Sequence, residues 1–334
     1  MSQKSSVFAF TGIIVIILCF SIMGAAVAQD IENAPAGQDG VIDKIDADLI
    51  AQFSNGPADY MLRFKEQPDL SPAYQMSWQE RGEYVYRILS EAATRGQAQA
   101  KKILDGHGLR HQTFIAGNEL YVWAGNLDSA LELAALPEVA SIRATRLYYI
   151  DPVIQKPNIT WAGDLLQHPV GPTAATEGTF DWGILDVHAD QFWNTFGIQG
   201  EGILVANIDT GVQWDHPALV NQYKCNTNPT DPACWYDPSN ICMGGVCDNV
   251  GHGSHTMGTM VADDDPTLPY LAGMAPNAQW IACKGCEYNS CTDFALNSCA
   301  DWILAPGGDP PNRPHIVNNS WGGGGAETWD LSKV

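Results

Sequence analysis

The sequence predicts an α/β chain, with the N-terminal part of a doubly wound, mostly parallel sheet in its second half and a small α+β module before it. Three observations predict this. Near-continuous apolar strands at residues 203–208, 280–283 and 315–318 alternate with helical segments, the pattern of a parallel sheet buried on both faces. Before residue 150 the elements read β-α-β-β-α-β. The net charge of −21 is unevenly spread: acids and bases nearly cancel over residues 56–150, whereas from residue 160 only Lys224, Lys284, Arg313 and Lys333 oppose many acids. That break puts a domain boundary near Ile150.

Residues 1–28 read as an export signal. Lys4 supplies a positive start, residues 7–23 are apolar and uncharged, and Ala26-Val27-Ala28 offers small residues before Gln29. The alternative is an uncleaved anchor, because the run approaches the roughly 20 residues that span a bilayer. Residues 29–56 are polar and read as a loose leader. In the module of residues 57–150, residues 60–64 form a strand. A helix from Trp78 to about Asp105 carries Tyr84, Ile88, Leu89 and Ala92 at helical spacing, and Gly106 and Gly108 stop it. Residues 110–115 and 119–124 form a hairpin around Ala116-Gly117-Asn118. Residues 127–136 form a short helix closed by Pro137, and residues 139–150 return as a strand. This is the element order of the ferredoxin-like fold. Residues 151–181 contain Pro, Gly and Thr without a clear period and suit a linker open to cleavage. The last domain, residues 182–334, begins with a helix expected to be capped by Asp186, with Val187, Phe192 and Trp193 facing inward.

Nine cysteines are present, and Cys19 falls in the export signal, leaving Cys225, Cys234, Cys242, Cys247, Cys283, Cys286, Cys291 and Cys299. An even set in an exported chain reads as disulfides, with the pairing open. Cys283-x-x-Cys286 also admits a zinc reading. The acidic balance argues against nucleic acid and anionic membranes as partners.

Two motifs carry chemistry. Asp209-Thr210-Gly211 ends an apolar strand on a carboxylate, at the end of the sheet where open α/β folds place their sites. An acid there can accept a hydrogen bond from an imidazole and fix its tautomer. His252 lies between Gly251 and Gly253 at the start of a small-residue helix, as a general base and then general acid would. His255, one turn later, is expected to pack inside. Asn318-Asn319-Ser320-Trp321-Gly322-Gly323 can pair with a peptide backbone as an added strand. Asp-Thr-Gly alone also fits an aspartic protease lobe, which would need no His252.

Together these blocks resemble the Asp and His blocks of the subtilisin-like serine protease family, and Val212-x-x-Asp215-His216-Pro217 resembles its continuation. Trp182-Gly183-Ile184 and Trp280-Ile281-Ala282-Cys283 are most similar to the bacillopeptidase F-like branch. The module of residues 57–150 resembles the inhibitory propeptides of secreted members. The resemblance implies a secreted serine endopeptidase precursor acting on proteins or peptides. Asp209 would orient His252, and Ser320, Trp321 and Gly322 would bind substrate. The propeptide would serve as folding aid and intramolecular inhibitor, with no stable membrane association after signal cleavage. The Gly-Thr-Ser nucleophile block and the oxyanion-hole Asn do not occur before Val334, so the resemblance implies that this polypeptide alone is inactive, the serine coming from sequence beyond it. A rival reading is a non-catalytic inhibitor or binding module. No cofactor is expected to be required. The family's common structural calcium uses an Asp where this chain has Ala218, and the insert of residues 223–248 is outside the family core.

Overall fold

The computed structural model describes residues 39–150, 180–263 and 271–322. The export signal, the leader before Asp39 and residues 151–179 of the linker lie outside the described residues. The chain divides into two compact units, residues 1–68 with 89–145 and residues 69–88 with 146–334.

In the first unit, α1 (Asp39–Ile42) and α2 (Ala47–Phe53) precede β1 (Ala58–Phe64). Next come α3 (Trp78–Gly96), whose second half belongs to this unit, and α4 (Ala98–Gly106). The hairpin β2 (His111–Phe114) and β3 (Glu119–Gly125), then α5 (Leu127–Ala134) and β4 (Val139–Ala144), complete it. The antiparallel sheet runs β2-β3-β1-β4, the expected ferredoxin-like arrangement. Strand alternation delivers Tyr60, Leu62, Phe64, Leu120, Val122 and Ile142 to one core with Leu104 and Leu133 from the helices. Asn126 caps α5 in a reciprocal capping box with Ser129.

Three local expectations change. Residues 39–56, read as a loose leader, carry two helices from Asp39 onward, because Ile45 and Leu49 are buried in the same core. The helix expected from Trp78 to Asp105 breaks at Gln97. The Gln97 side chain is fully buried and donates to Phe114 O, Asn118 Oδ1 and Glu119 O, tying the helix break to the hairpin turn. The strand expected over residues 139–150 divides, because residues 147–149 pair elsewhere.

In the second unit, β5 (Leu147–Tyr149) is followed by α6 (Trp182–Asp186) and α7 (Ala189–Phe196). Then come β6 (Leu204–Asp209), β7 (Trp235–Tyr236), α8 (His252–Val261) and β8 (Gln279–Lys284). β9 (Ser290–Thr292), α9 (Asp293–Leu304) and β10 (Ile316–Asn318) close the described part. The sheet order is β10-β6-β8-β7 with every pairing parallel. All six residues of β6 are buried, which explains a strand without polar alternation. Trp280 stacks on Tyr223 with ring centroids 4.2 Å apart, in a core that also contains Val205, Met257 and Val261.

The first helix of this unit is not capped by Asp186. Asp181 accepts from Gly183 N and starts α6 earlier, and His188 in the left-handed region (φ 60°) separates α6 from α7. Trp193 is consequently buried, whereas Val187 and Phe192 face solvent. The eight cysteines pair as Cys225–Cys234, Cys242–Cys247, Cys283–Cys299 and Cys286–Cys291. Both thiols of the Cys283-x-x-Cys286 pair are thereby taken, which removes the zinc reading.

Candidate active site

Asp209 is the last residue of β6 and is fully buried. His252 is the first residue of α8, and its Nδ1 lies 2.8 Å from Asp209 Oδ1. The same oxygen accepts Thr210 N at 2.7 Å, and Thr256 Oγ1 approaches the other at 3.4 Å. With Nδ1–H donated to the carboxylate, Nε2 keeps its lone pair, the form a general base needs. Gly253, next to His252, and Gly211, two residues after Asp209, have structural reasons. A β-carbon at Gly253 would collide with Gly211 O, and one at Gly211 with Cys247 O. Gly211 also has φ +97°, which a side chain rarely tolerates.

Ser320, Trp321 and Gly322 lie at the same end of the sheet. Trp321 Nε1 donates to Ile208 O at 2.9 Å, next to Asp209 in sequence. Ser320 Oγ and Asn318 Nδ2 are 2.9 Å apart, and Asn318 Nδ2 also donates to Asn207 Oδ1 on β6. Asn207 Nδ2 donates to Gly253 O and to Thr256 Oγ1, so one amide chain joins β10, β6 and α8. Gly322 exchanges two backbone hydrogen bonds with Tyr149, at 2.7 and 3.0 Å. On its other side β5 pairs antiparallel with β9. The chain's own segment 147–149 therefore lies as an added strand between β9 and Gly322, with the Tyr148 ring 5.5 Å from that of Trp321.

His255 does not pack inside. It is exposed, and lines a cavity of about 640 Å³ with His216, Leu219 and Met274. The helix turn that buries Met257 and Val261 carries position 255 outward. Ala218, at the calcium-matched position, is buried. Among the described residues no three His, Cys, Asp or Glu side chains cluster as a metal site.

Sequence reasoning missed the groups behind the pair. Asp248 accepts from Thr210 Oγ1, and Lys284, which is fully buried, donates to Thr210 O and Asn249 Oδ1. Burial pushes the Lys284 amine below its usual range, and nearby carboxylates, Asp248 first, oppose the shift. Asp248 stands three residues before the N-cap Gly251, away from the position where a capping side chain is read. Nothing in the sequence marked Lys284.

Residues 200–333 match the family model described as the Subtilase family. Bacillopeptidase F of Bacillus subtilis (strain 168) is 38% identical over 169 residues, 46% of this chain and 11% of that protein. This part of the chain is similar to the subtilase family over the matched residues. The thermostable alkaline protease of Halalkalibacterium halodurans is 30% identical over 156 residues, covering 46% of the chain and 37% of that protein. The chain thus spans well under half the length of these relatives. Fervidolysin from Fervidobacterium pennivorans, a keratinolytic enzyme related to subtilisin, superposes with a TM-score of 0.52 at 16% identity, over 83% of this chain and 37% of that one. The likeness bears out the subtilisin-like fold class.

Proposed function

We propose that the chain is the N-terminal portion of a secreted subtilisin-like serine endopeptidase precursor. The observation that carries this reading is the buried Asp209 carboxylate 2.8 Å from His252 Nδ1, at the carboxyl end of a parallel sheet within the subtilase-matched region. Asp209 holds the imidazole in the Nδ1–H tautomer and stabilises the imidazolium. His252 takes the proton of a serine hydroxyl supplied by protein sequence outside these 334 residues, then gives it to the leaving amine. Substrate is protein or peptide, laid as a strand against Gly322 and β9, and the reaction needs no cofactor. Segment 147–149 supports an autoinhibitory role for the preceding module, because it occupies the edge a substrate strand would use. Four disulfides support residence in an oxidising compartment. Among the described residues no helix is long and apolar enough to cross a membrane.

The aspartic-lobe alternative is disfavoured, since Asp209 is buried under an imidazole rather than presented to a second carboxylate. The test is to express the longer gene product and assay casein hydrolysis and labelling by a serine-directed fluorophosphonate. The expected result is neutral-pH activity and labelling, both lost in His252→Ala, and neither shown by residues 1–334 alone. Acid-pH activity that survives His252→Ala would instead establish the aspartic reading.

A further inference from the structure

Asp248 is the most heavily bonded carboxylate near the Asp209–His252 pair. Its Oδ1 accepts from Thr210 Oγ1 (2.8 Å), Val250 N (3.1 Å) and Gly251 N (2.8 Å). Its Oδ2 accepts from Ser254 N (2.8 Å) and Ser254 Oγ (2.7 Å). These bonds grip the backbone on both sides of His252. Thr210 Oγ1 in turn accepts Gly253 N at 2.9 Å, and Ser254 Oγ accepts Gln213 N at 2.8 Å. The loop after Asp209 and the start of α8 are therefore laced together through one carboxylate. From the other side, Lys284 Nζ donates to Thr210 O and Asn249 Oδ1, and its own strand position pairs with Asp209 in the β6–β8 register.

A simple helix cap would bond only the first amides of α8. Here the Thr210 hydroxyl and the Ser254–Gln213 bond cross to the segment that carries Asp209, so the carboxylate fixes one loop relative to the other. Bonds to an ionised acceptor are short and strong, and the negative charge suits a helix N-terminus.

We propose that Asp248, acting through Thr210 and backed by Lys284, is a positioning residue that holds Asp209 and His252 in register and so selects the His252 ring tautomer. This rests on the reading of Asp209 and His252 as the working pair, and extends it to residues that touch no substrate.

The test is nitrogen-15 NMR of the His252 ring in the full 334-residue chain. The parent is expected to show an Nδ1–H resonance protected from solvent exchange. Asp248→Asn and Thr210→Val are both expected to lose that protection by at least about tenfold, the factor for losing one hydrogen bond to a charged group. They should also admit the Nε2–H tautomer, whereas Thr210→Ser, which keeps the hydroxyl, should match the parent. If Asp248→Asn fails to fold, the Thr210→Val and Thr210→Ser pair decides alone. Loss in Asp248→Asn with full protection in Thr210→Val would reduce Asp248 to a helix cap and overturn the proposal, as would protection in both. The readout does not depend on hydrolysis, so a silent full-length protease with these ring signals intact would sink the functional reading and leave the positioning role standing. A parent without the protected resonance would overturn both.

Discussion

At the scale of single residues, the pair that does the proposed chemistry was readable because each member sits in a short local motif. An acid ending an apolar strand and a His between two glycines each announce a close backbone approach, and the collision of a Gly253 β-carbon with Gly211 O shows why. The supporting groups were not readable. Thr210 and Lys284, 74 residues apart, meet through the β6–β8 register, and Asp248 joins them through the antiparallel bridge between Gly211 and Asp248. Buried polar side chains elsewhere obey the same rule. Tyr60 is fully buried with its hydroxyl 3.2 Å from Ser129 Oγ, and burial pushes its phenol up to about 12. The neutral phenol is favoured in the folded state, so the unfolded chain ionises first as pH rises past 10.0, the ordinary value. This phenol should then cost the first unit about 1.4 kcal/mol per pH unit from there until the folded group also ionises. Urea unfolding of the chain and of Tyr60→Phe between about pH 9 and about pH 11.5 would check it. The variant is expected to lose this alkaline decline while paying a pH-independent cost of about 1 kcal/mol for the hydroxyl's bond. Parallel declines in both proteins would refute the assignment.

At the scale of elements, periodicity located the strands and helices but not where they stop. α3 ends at Gly96 because the Gln97 amide is needed by the hairpin turn, a contact with no local signature. β4 ends at Ala144 and β5 begins at Leu147 because Arg146 N is captured by Asp293 Oδ2 and the next residues pair with β9. Disulfide pairing was equally closed to sequence reasoning, since an even count allows many connectivities. Its consequences are now specific. Cys286–Cys291 closes the turn that presents β9, and Cys286 N donates to Asp209 O at 3.0 Å. Cys283–Cys299 ties β8 to α9. The sequence separations are 16 for Cys283–Cys299 and 5 for Cys286–Cys291. Chain-entropy arguments then give about 3 kcal/mol for the first and about 2 kcal/mol for the second. Paired Cys→Ala variants are expected to lower the urea midpoint of the second unit in that order, with the first unit unmoved. The reverse order would show that local geometry near β9 outweighs loop closure.

At the scale of the whole molecule, the two architectures were legible because each follows from element order and strand hydrophobicity. The edge between them was less so. Charge placed it near Ile150, whereas compactness places it after Thr145 and assigns residues 69–88 to the second unit. That assignment reflects contacts such as the stacking of Trp78 on His315, 4.2 Å apart, which no composition trend reports. The units also differ in how completely each covers its own apolar surface. Among the described residues, the large apolar side chains that stay exposed fall in the second unit, including Phe192 at 49%, Phe196 at 62%, Ile198 at 52% and Ile316 at 57%. β10, which carries Ile316, has β6 as its strand neighbour and a second edge without one among the described residues. Exposed aromatic pairs such as Phe192–Phe196 favour association. The first unit instead closes an antiparallel sheet over one core with a capped helix. Residues 39–150, which hold the described first unit together with segments 69–88 and 146–150 of the second, are therefore expected when expressed alone to unfold cooperatively and reversibly, while residues 180–334 alone associate or lack a cooperative transition. Calorimetry with sedimentation of the two pieces decides it. A sharp, reversible, concentration-independent transition in the second piece, with none in the first, would show that the disulfides there outweigh the uncovered surface.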